Sequence, residues 1–239
     1  MSTWLFDLGN TRLKCAPLGA DGRLGAVRAL AHDEGEAWLQ DLPSGEVACI
    51  ASVASDARRV ALLEALLPRF ARLHRVATEA ALGPLRIAYA APQRLGVDRF
   101  LAMLGQCDGR PLLLAGVGTA LTLDLVDADG RHRGGRIAPS PQLMRQALHA
   151  RAAQLPESGG AYAEFADDTA DALASGCEGA ALALIERSLH AAHALLGVMP
   201  ELRLHGGGGE VLRAHLPAHA WVPDAVLQGL ARWHALRIA

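Results

Sequence analysis

Apolar and polar positions follow two periods along this chain. Short apolar runs bounded by Gly, Pro or Asp read as strands, and stretches with apolar residues three and four apart read as helices. Thr3 to Leu8 is a buried first strand that enters a tight turn at Gly9. Arg12 to Leu18 and Leu24 to Leu30 follow as strands, with Gly19 to Gly22 as the turn between them. Glu34 to Leu42 reads as helical and Glu46 to Val53 as a continuous apolar strand. Asp56 to Leu67 is an amphipathic helix stopped by Pro68, and Arg72 to Ala77 is another strand. Ala80 to Pro92 is irregular, with Gly83, Pro84 and Pro92 in it. Val97, Phe100, Leu101 and Leu104 fall at helical spacing, which predicts a helix over Val97 to Cys107.

The pattern then starts again. Leu112 to Ala115 is an apolar strand, Gly116 to Gly118 turns, and Ala120 to Val126 alternates like a strand. Asp127-Ala128-Asp129-Gly130 is a hairpin turn from which Arg131 to Ala138 returns. Pro141 to Ala153 is a helix, Pro156 to Asp168 a loop, and Thr169 to Leu196 a long Ala-rich helix. Leu202 to His205 is a strand running into Gly206 to Gly209, and a helix from Pro223 to Ile238 closes the chain. Leu5-Phe6-Asp7-Leu8-Gly9-Asn10-Thr11 matches Leu113-Leu114-Ala115-Gly116-Val117-Gly118-Thr119 in form. A near-repeat at this separation predicts a duplicated α/β domain, 1–110 and 111–239, with a ligand cleft between the halves.

Composition narrows the classes. Of the 239 residues, 51% are hydrophobic and 20% charged, and the formal net charge is −2. That is the composition of a folded chain, and it lacks the basic excess of a general nucleic-acid binder. No apolar run approaches the roughly 20 residues of a membrane span. Met-Ser-Thr-Trp-Leu-Phe-Asp has no basic region of the secretory kind. Cys15, Cys49, Cys107 and Cys177 lie far apart with no CxxC pair, so the expectation is a cytoplasmic protein with reduced thiols and no zinc site. Lys14 is the only lysine, so chemistry that needs a lysine must use it.

Four segments carry candidate chemistry. Asp7-Leu8-Gly9-Asn10-Thr11-Arg12-Leu13-Lys14 offers a Gly turn, an amide, a hydroxyl and a cation that can cradle phosphate, and an Asp that can hold magnesium through water. Taken alone, the same residues are more simply accounted for by a capped hairpin turn. Gly118-Thr119-Ala120-Leu121-Thr122-Leu123-Asp124 offers the same parts, with Thr119 as the hydroxyl and Asp124 as the carboxylate. Gly206 to Gly209 suit close approach of a flat ligand such as a base and sugar, or a flexible turn with a helix starting at Glu210. In Gly96-Val97-Asp98-Arg99, Asp98 either complements a helix dipole or takes a proton from a substrate hydroxyl, with Arg99 beside it for an anion. Thr169 is an N-cap or first-turn residue, a role for which Asp168 competes. No GxxxxGK[ST], GxGxxG, HExxH or GxSxG occurs, so any ATP site uses neither of the two commonest loops.

Together these motifs resemble type III pantothenate kinases, of the acetate kinase, sugar kinase, Hsp70 and actin superfamily, in order and over most of the chain. The resemblance rests on Asp7-x-Gly9-Asn10-Thr11, Gly96-Val97-Asp98-Arg99, Gly118-Thr119-Ala120, Gly134-Gly135-x-Ile137, Thr169-x-x-Ala172 to Gly176, and the late glycines. It implies two ribonuclease-H-like, actin-like α/β domains with mixed sheets flanked by helices. It implies transfer of the ATP γ-phosphate to the 4′-hydroxyl of pantothenate, with Asp98 as general base. Gly96, Val97, Asp98 and Arg99 would line the pantothenate site, with Thr169 contributed by a partner subunit of a homodimer. Asp7 to Lys14 and Thr119 would hold ATP phosphates and Mg2+, with Gly207 and Gly208 at the nucleotide and Asp124 as a further metal carboxylate. Many members need K+ or NH4+, associated with an acidic residue three before the threonine. Here that position is Gly116, and Ser140 stands where the family often has Gly. Gly116 implies cation-independent activity, a rearranged site using Asp124, or a weakened enzyme. The alternatives to a pantothenate kinase are a non-catalytic accessory or regulatory relative and another phosphotransferase or phosphatase of the superfamily.

Overall fold

The structure is a computed structural model that describes residues 2–32 and 37–238. The chain forms two compact units. One comprises Met1–Asp108, Gly130–His132 and Asp224–Ala239, and the other Gly109–Asp129 and Arg133–Pro223. The division differs from a single cut between 110 and 111, because the C-terminal helix belongs with the first unit.

The first unit is built on a five-stranded sheet of β1 (Thr3–Leu8), β2 (Arg12–Leu18), β3 (Arg28–Ala31), β4 (Gly45–Ser52) and β5 (Phe70–Arg75), in the order β3-β2-β1-β4-β5. β1 runs antiparallel to β2 and parallel to β4, which runs parallel to β5. Alternation sends Phe6, Leu8, Leu13, Cys15, Ala48 and Ile50 to one face, where they pack with Trp38 and with Leu62 and Leu66 of α1 (Asp56–Leu66). The expected strand at Leu24–Leu30 is shorter, since Gly25 N–H donates to the Pro17 carbonyl (2.8 Å) and holds the chain in a turn up to Arg28. Of the helix expected over Glu34–Leu42, residues 34–36 lie outside the described residues, and Ala37–Leu39 is a single 3-10 turn. A small hairpin, β6 (Ala81–Leu82) and β7 (Leu85–Arg86), stands in the segment read as irregular.

The other face of this sheet is covered by α2 (Val97–Gln106) and by a helix from the end of the chain. In the second unit β8 (Leu112–Val117), β9 (Ala120–Val126), β10 (His132–Pro139), β11 (Glu201–His205) and β12 (His219–Trp221) repeat the topology in the order β10-β9-β8-β11-β12. β8 is antiparallel to β9 and parallel to β11, and β11 is parallel to β12. Leu113, Ala115, Val117, Leu121 and Leu123 pack on Ala181, Leu182, Ile185 and Leu189 of the long helix. α3 (Pro141–His149) precedes that helix, α4 (Thr169–Leu196), and α5 (Ala225–Arg237) ends the chain. Asp168 caps α4 by accepting from the N–H groups of Ala170 (2.7 Å) and Asp171 (3.1 Å). Gly197, at φ 72°, ends it in the left-handed region. β12 was not legible in the sequence, being three half-buried residues at a sheet edge.

α2 and α5 cross backbone to backbone. A Cβ on Gly105 would lie 2.6 Å from the Gly229 nitrogen, and one on Gly229 would overlap the Leu101 carbonyl. Arg232 Nη1 donates to the carbonyls of Leu104 (2.9 Å) and Cys107 (2.5 Å), so α5 satisfies the open end of α2. Gly229→Ala is expected to cost about 1–3 kcal/mol of stability through overpacking, read as a lower urea midpoint at unchanged slope. A midpoint within error of wild type would show that the crossing has slack.

Candidate active site

Four charged side chains of the first unit meet on the α2/α5 face of its sheet. Phe6 and Leu8 point into the α1 core, so Leu5 and Asp7 point the other way. The β1–β2 register sets Lys14 opposite Asp7. Lys14 Nζ lies 3.4 Å from Asp224 Oδ1. Asp224 is the residue before α5 and makes no side-chain cap bond there. Asp98 stands in the first turn of α2, where its Oδ1 accepts the Arg99 N–H at 2.8 Å. A Cβ on Gly96 would lie 2.5 Å from that oxygen, so the glycine makes room for the carboxylate to fold back.

The electrostatics follow from burial. Asp7 keeps some exposed surface at its strand end, yet desolvation pushes its pKa up to about 7 from 3.8. The negative charge of Asp98 adds to the rise and Lys14 opposes it. Asp7 is therefore poised between its acid and its ionised form near neutrality. Lys14 is committed to this carboxylate cluster as much as to the loop, which the sequence did not show.

The loop that joins β1 to β2 closes with Gly9 N–H donating to Arg12 O at 3.1 Å. Gly9 needs no left-handed backbone here, and a Cβ on it would stand 3.3 Å from Arg12 O. The Asn10 carbonyl takes the guanidinium of Arg58 and faces His32 Nδ1 at 3.4 Å, which pins the turn. Asn10, Thr11 and Arg12 are exposed, while Leu8 and Leu13 are wholly buried anchors of the loop. Val97 is likewise buried in α2. Arg99 is only 7% exposed, and its Nη1 lies 3.5 Å from the hydroxyl of Tyr89, whose ring stacks on His132. Tyr89 and Asp224 are site neighbours that no local motif in the sequence marks.

The second unit holds the remaining candidates. Its β8–β9 turn closes with Gly118 N–H donating to Ala120 O at 2.9 Å, and Thr119 is exposed on it. Asp124 is buried, in the same cross-strand row as Leu114 and Arg203. Arg203 in turn pairs with Glu201 through Nε (3.2 Å) and Nη2 (3.0 Å). The late glycines do not form a loop before a helix at Glu210; a 3-10 helix begins at Gly207 and runs to His215. Gly206, at φ 89°, packs so closely that a Cβ would overlap the Val117 carbonyl, and one on Gly209 would lie 3.0 Å from the Trp221 ring. Close packing thus explains Gly206 and Gly209 and also constrains Gly208, where a Cβ would lie 3.0 Å from Val117 Cγ1 and 3.2 Å from the Val117 carbonyl oxygen; Gly207 and Gly208 are exposed. Thr169 is exposed in the first turn of α4, and Asp168 takes the N-cap.

Register also corrects the repeat. Leu8 pairs with Leu13 and Val117 with Leu121, so the first turn is one residue longer than the second. Asp7 thus matches Gly116, one place from the match by form. The row that holds Asp7 and Lys14 in the first sheet holds Gly116 and Thr122 in the second, with His205 on the far side.

Two sheets of one topology, each opening on an antiparallel pair with a short polar turn, define the mixed α/β fold of the actin-like sugar kinases. Solved structures with this fold include a Campylobacter jejuni protein described as a conserved Baf family transcriptional activator (TM-score 0.66, 18% identity, 97% of each chain). Another is a Sinorhizobium meliloti protein described as a 2-dehydro-3-deoxygalactonokinase (TM-score 0.58, 14% identity, 99% of this chain and 100% of that one). At those identities they show the fold alone.

The chain belongs to the type III pantothenate kinase family, whose family model matches residues 4–191. Relatives called type III pantothenate kinase are 58% identical in Stenotrophomonas maltophilia K279a and 56% identical in Xanthomonas campestris pv. campestris B100. Each alignment covers 98% of this chain and 97% of the relative. Kinases as a class use ATP with a divalent metal. Among the described residues no helix is long and apolar enough to cross a membrane.

The raised pKa of Asp7 has a stability signature. The folded protein keeps a proton on Asp7 that the unfolded chain releases, in the window from about 4 to about 7. Stability from this group is greatest below that window, falls as pH rises through it and levels off above. Asp7→Asn lacks the titration, so its Tm relative to wild type should climb between about pH 4 and about pH 7 in metal-free buffer. Parallel melting curves for the two proteins across that range would overturn the assignment.

Proposed function

We propose that the protein transfers the γ-phosphoryl group of ATP to the 4′-hydroxyl of pantothenate, the first step of coenzyme A synthesis. The observation that carries the reading is the Asp7, Asp98, Lys14 and Asp224 cluster at the starts of α2 and α5, in a chain of this family. Phosphoryl transfer asks mainly for positioning and charge neutralisation. Asp98 orients the acceptor hydroxyl and takes its proton as the bond to phosphorus forms. Gly96 gives that carboxylate its room, and buried Val97 and Arg99 fix the helix start that presents it. The Asn10 and Thr11 backbone and the Thr11 hydroxyl face phosphate, as does Thr119 in the second unit. Gly207 and Gly208 present bare backbone to the base and sugar.

Mg2+ keeps water and phosphate oxygens in its shell and so asks for few protein ligands, and Asp7 is the hard oxygen donor that would hold it, giving up its proton to the cation. When bound, Mg2+ neutralises charge developing on the phosphates. Asp124 belongs to a row with Arg203, and we assign it to charge balance in the second sheet. With Gly116 in place of a carboxylate, turnover proceeds without added K+ or NH4+. The protein works in the cytoplasm as a homodimer, to which Thr169 brings a polar side chain for the partner's pantothenate site.

The test is ADP release by purified protein with ATP and Mg2+, with and without pantothenate. Pantothenate-dependent ADP is expected, and Asp98→Asn should lower it about 10²- to 10⁴-fold with ATP affinity kept. A folded protein that shows no pantothenate-dependent ADP, with Mg2+ and several monovalent cations, would overturn the kinase in favour of an accessory binding role.

A further inference from the structure

Gly116 leaves room on one face of the sheet, and two polar side chains fill it. The residue is buried at the end of β8, on the sheet face away from α4, since its neighbours Ala115 and Val117 point into the α4 core. A methyl group on it would lie 2.7 Å from His205 Nε2, 2.9 Å from His205 Cε1 and 2.8 Å from Thr122 Oγ1. The three form one cross-strand row, Thr122 on β9, Gly116 on β8 and His205 on β11. Only glycine lets the imidazole lie over the middle strand.

The place is one where ligands dock. β8 and β11 are parallel, and both end here. Ligands of open α/β sheets bind beyond the carboxyl ends of such strands. Each strand runs straight into a glycine turn, Gly118-Thr119 after β8 and Gly206 to Gly208 after β11, and the second turn packs on the Val117 carbonyl. Gly118, Thr119, Gly207 and Gly208 are exposed, and His205 and Thr122 keep partial exposure. The matching position in the first sheet carries Asp7, an oxygen donor suited to a cation. Here the row carries an imidazole, whose N–H is of the kind suited to an anion, beside the Thr122 hydroxyl, which donates to the Gly116 carbonyl at 3.5 Å.

We propose that His205, seated over Gly116 with Thr122, is a nucleotide-binding residue whose Nε2–H donates to a phosphate oxygen of ATP. The proposal deepens the kinase reading and rests on it. It also gives Gly116 a purpose: the glycine makes room for a protein-borne donor beside the second phosphate turn.

The experiment measures binding of ATP with Mg2+, of ADP and of adenosine by calorimetry, alongside the pantothenate-dependent assay. His205→Ala is expected to weaken ATP and ADP roughly 10-fold, the size of one hydrogen bond to a charged group, and to leave adenosine unchanged. In turnover the loss should appear mostly in KM for ATP. His205→Gln, which keeps an N–H donor, should recover part of the ATP affinity and serves if the alanine variant fails to fold. Gly116→Ala should weaken ATP by displacing the ring, and should add little in the His205→Ala background. Unchanged ATP affinity in either folded His205 variant would overturn the proposal, as would equal losses of ATP and adenosine. So would additive Gly116 and His205 effects. If wild type binds nucleotide with this pattern but makes no pantothenate-dependent ADP, the kinase reading fails alone. If turnover is intact and His205 variants keep the wild-type KM for ATP, this inference fails alone.

Discussion

The backbone contact of α2 with α5 at Gly105 and Gly229 is the constraint on which the candidate site depends. Two helices that touch without intervening side chains have one relative placement, and it sets where each begins. α2 begins with Asp98 and α5 follows Asp224, so a single packing decision places two of the four charged groups of the cluster. The strand pairing of β1 with β2 places the other two, Asp7 and Lys14. Arg232, reaching the last carbonyls of α2, ties the crossing to a second, polar restraint.

That geometry brings acids together at a cost. Asp7 is desolvated and faces the charge of Asp98, with Lys14 as the opposing cation. An apolar residue would sit there more stably, so the cluster reads as strain held for a purpose, as sites of perturbed acidity often are. The second sheet uses the same topology for a different end. Its matching row has no carboxylate, and its buried charges, Asp124 and Arg203, sit one row deeper on the same face, with half-buried Glu201 a row further in.

Much of this was legible in the order of residues. The strands at Thr3–Leu8, Arg12–Leu18 and Ala120–Val126 and the helix at Thr169–Leu196 match the expectation residue for residue, because each buries a face whose period shows in the chain. Asp98 was visible as a helix-start carboxylate and Gly96 as its companion. Short edge elements were not: β12 and the β6–β7 hairpin are too brief to show a period. The glycines after β11 looked like an open ligand surface, and three of the four, Gly206, Gly208 and Gly209, are constrained by packing.

By itself, then, the chain determined its periodicities, its repeated strand–turn–strand units and the kind of chemistry its polar turns could do, since these depend on neighbours in sequence. Tertiary structure alone decided that Lys14 meets Asp224, that Asp7 faces Asp98, that Asp7 corresponds to Gly116, and that His205 lies over that glycine. Those pairings join residues tens to hundreds of positions apart. They are set by sheet register and by one close helix crossing, which no local window of sequence contains.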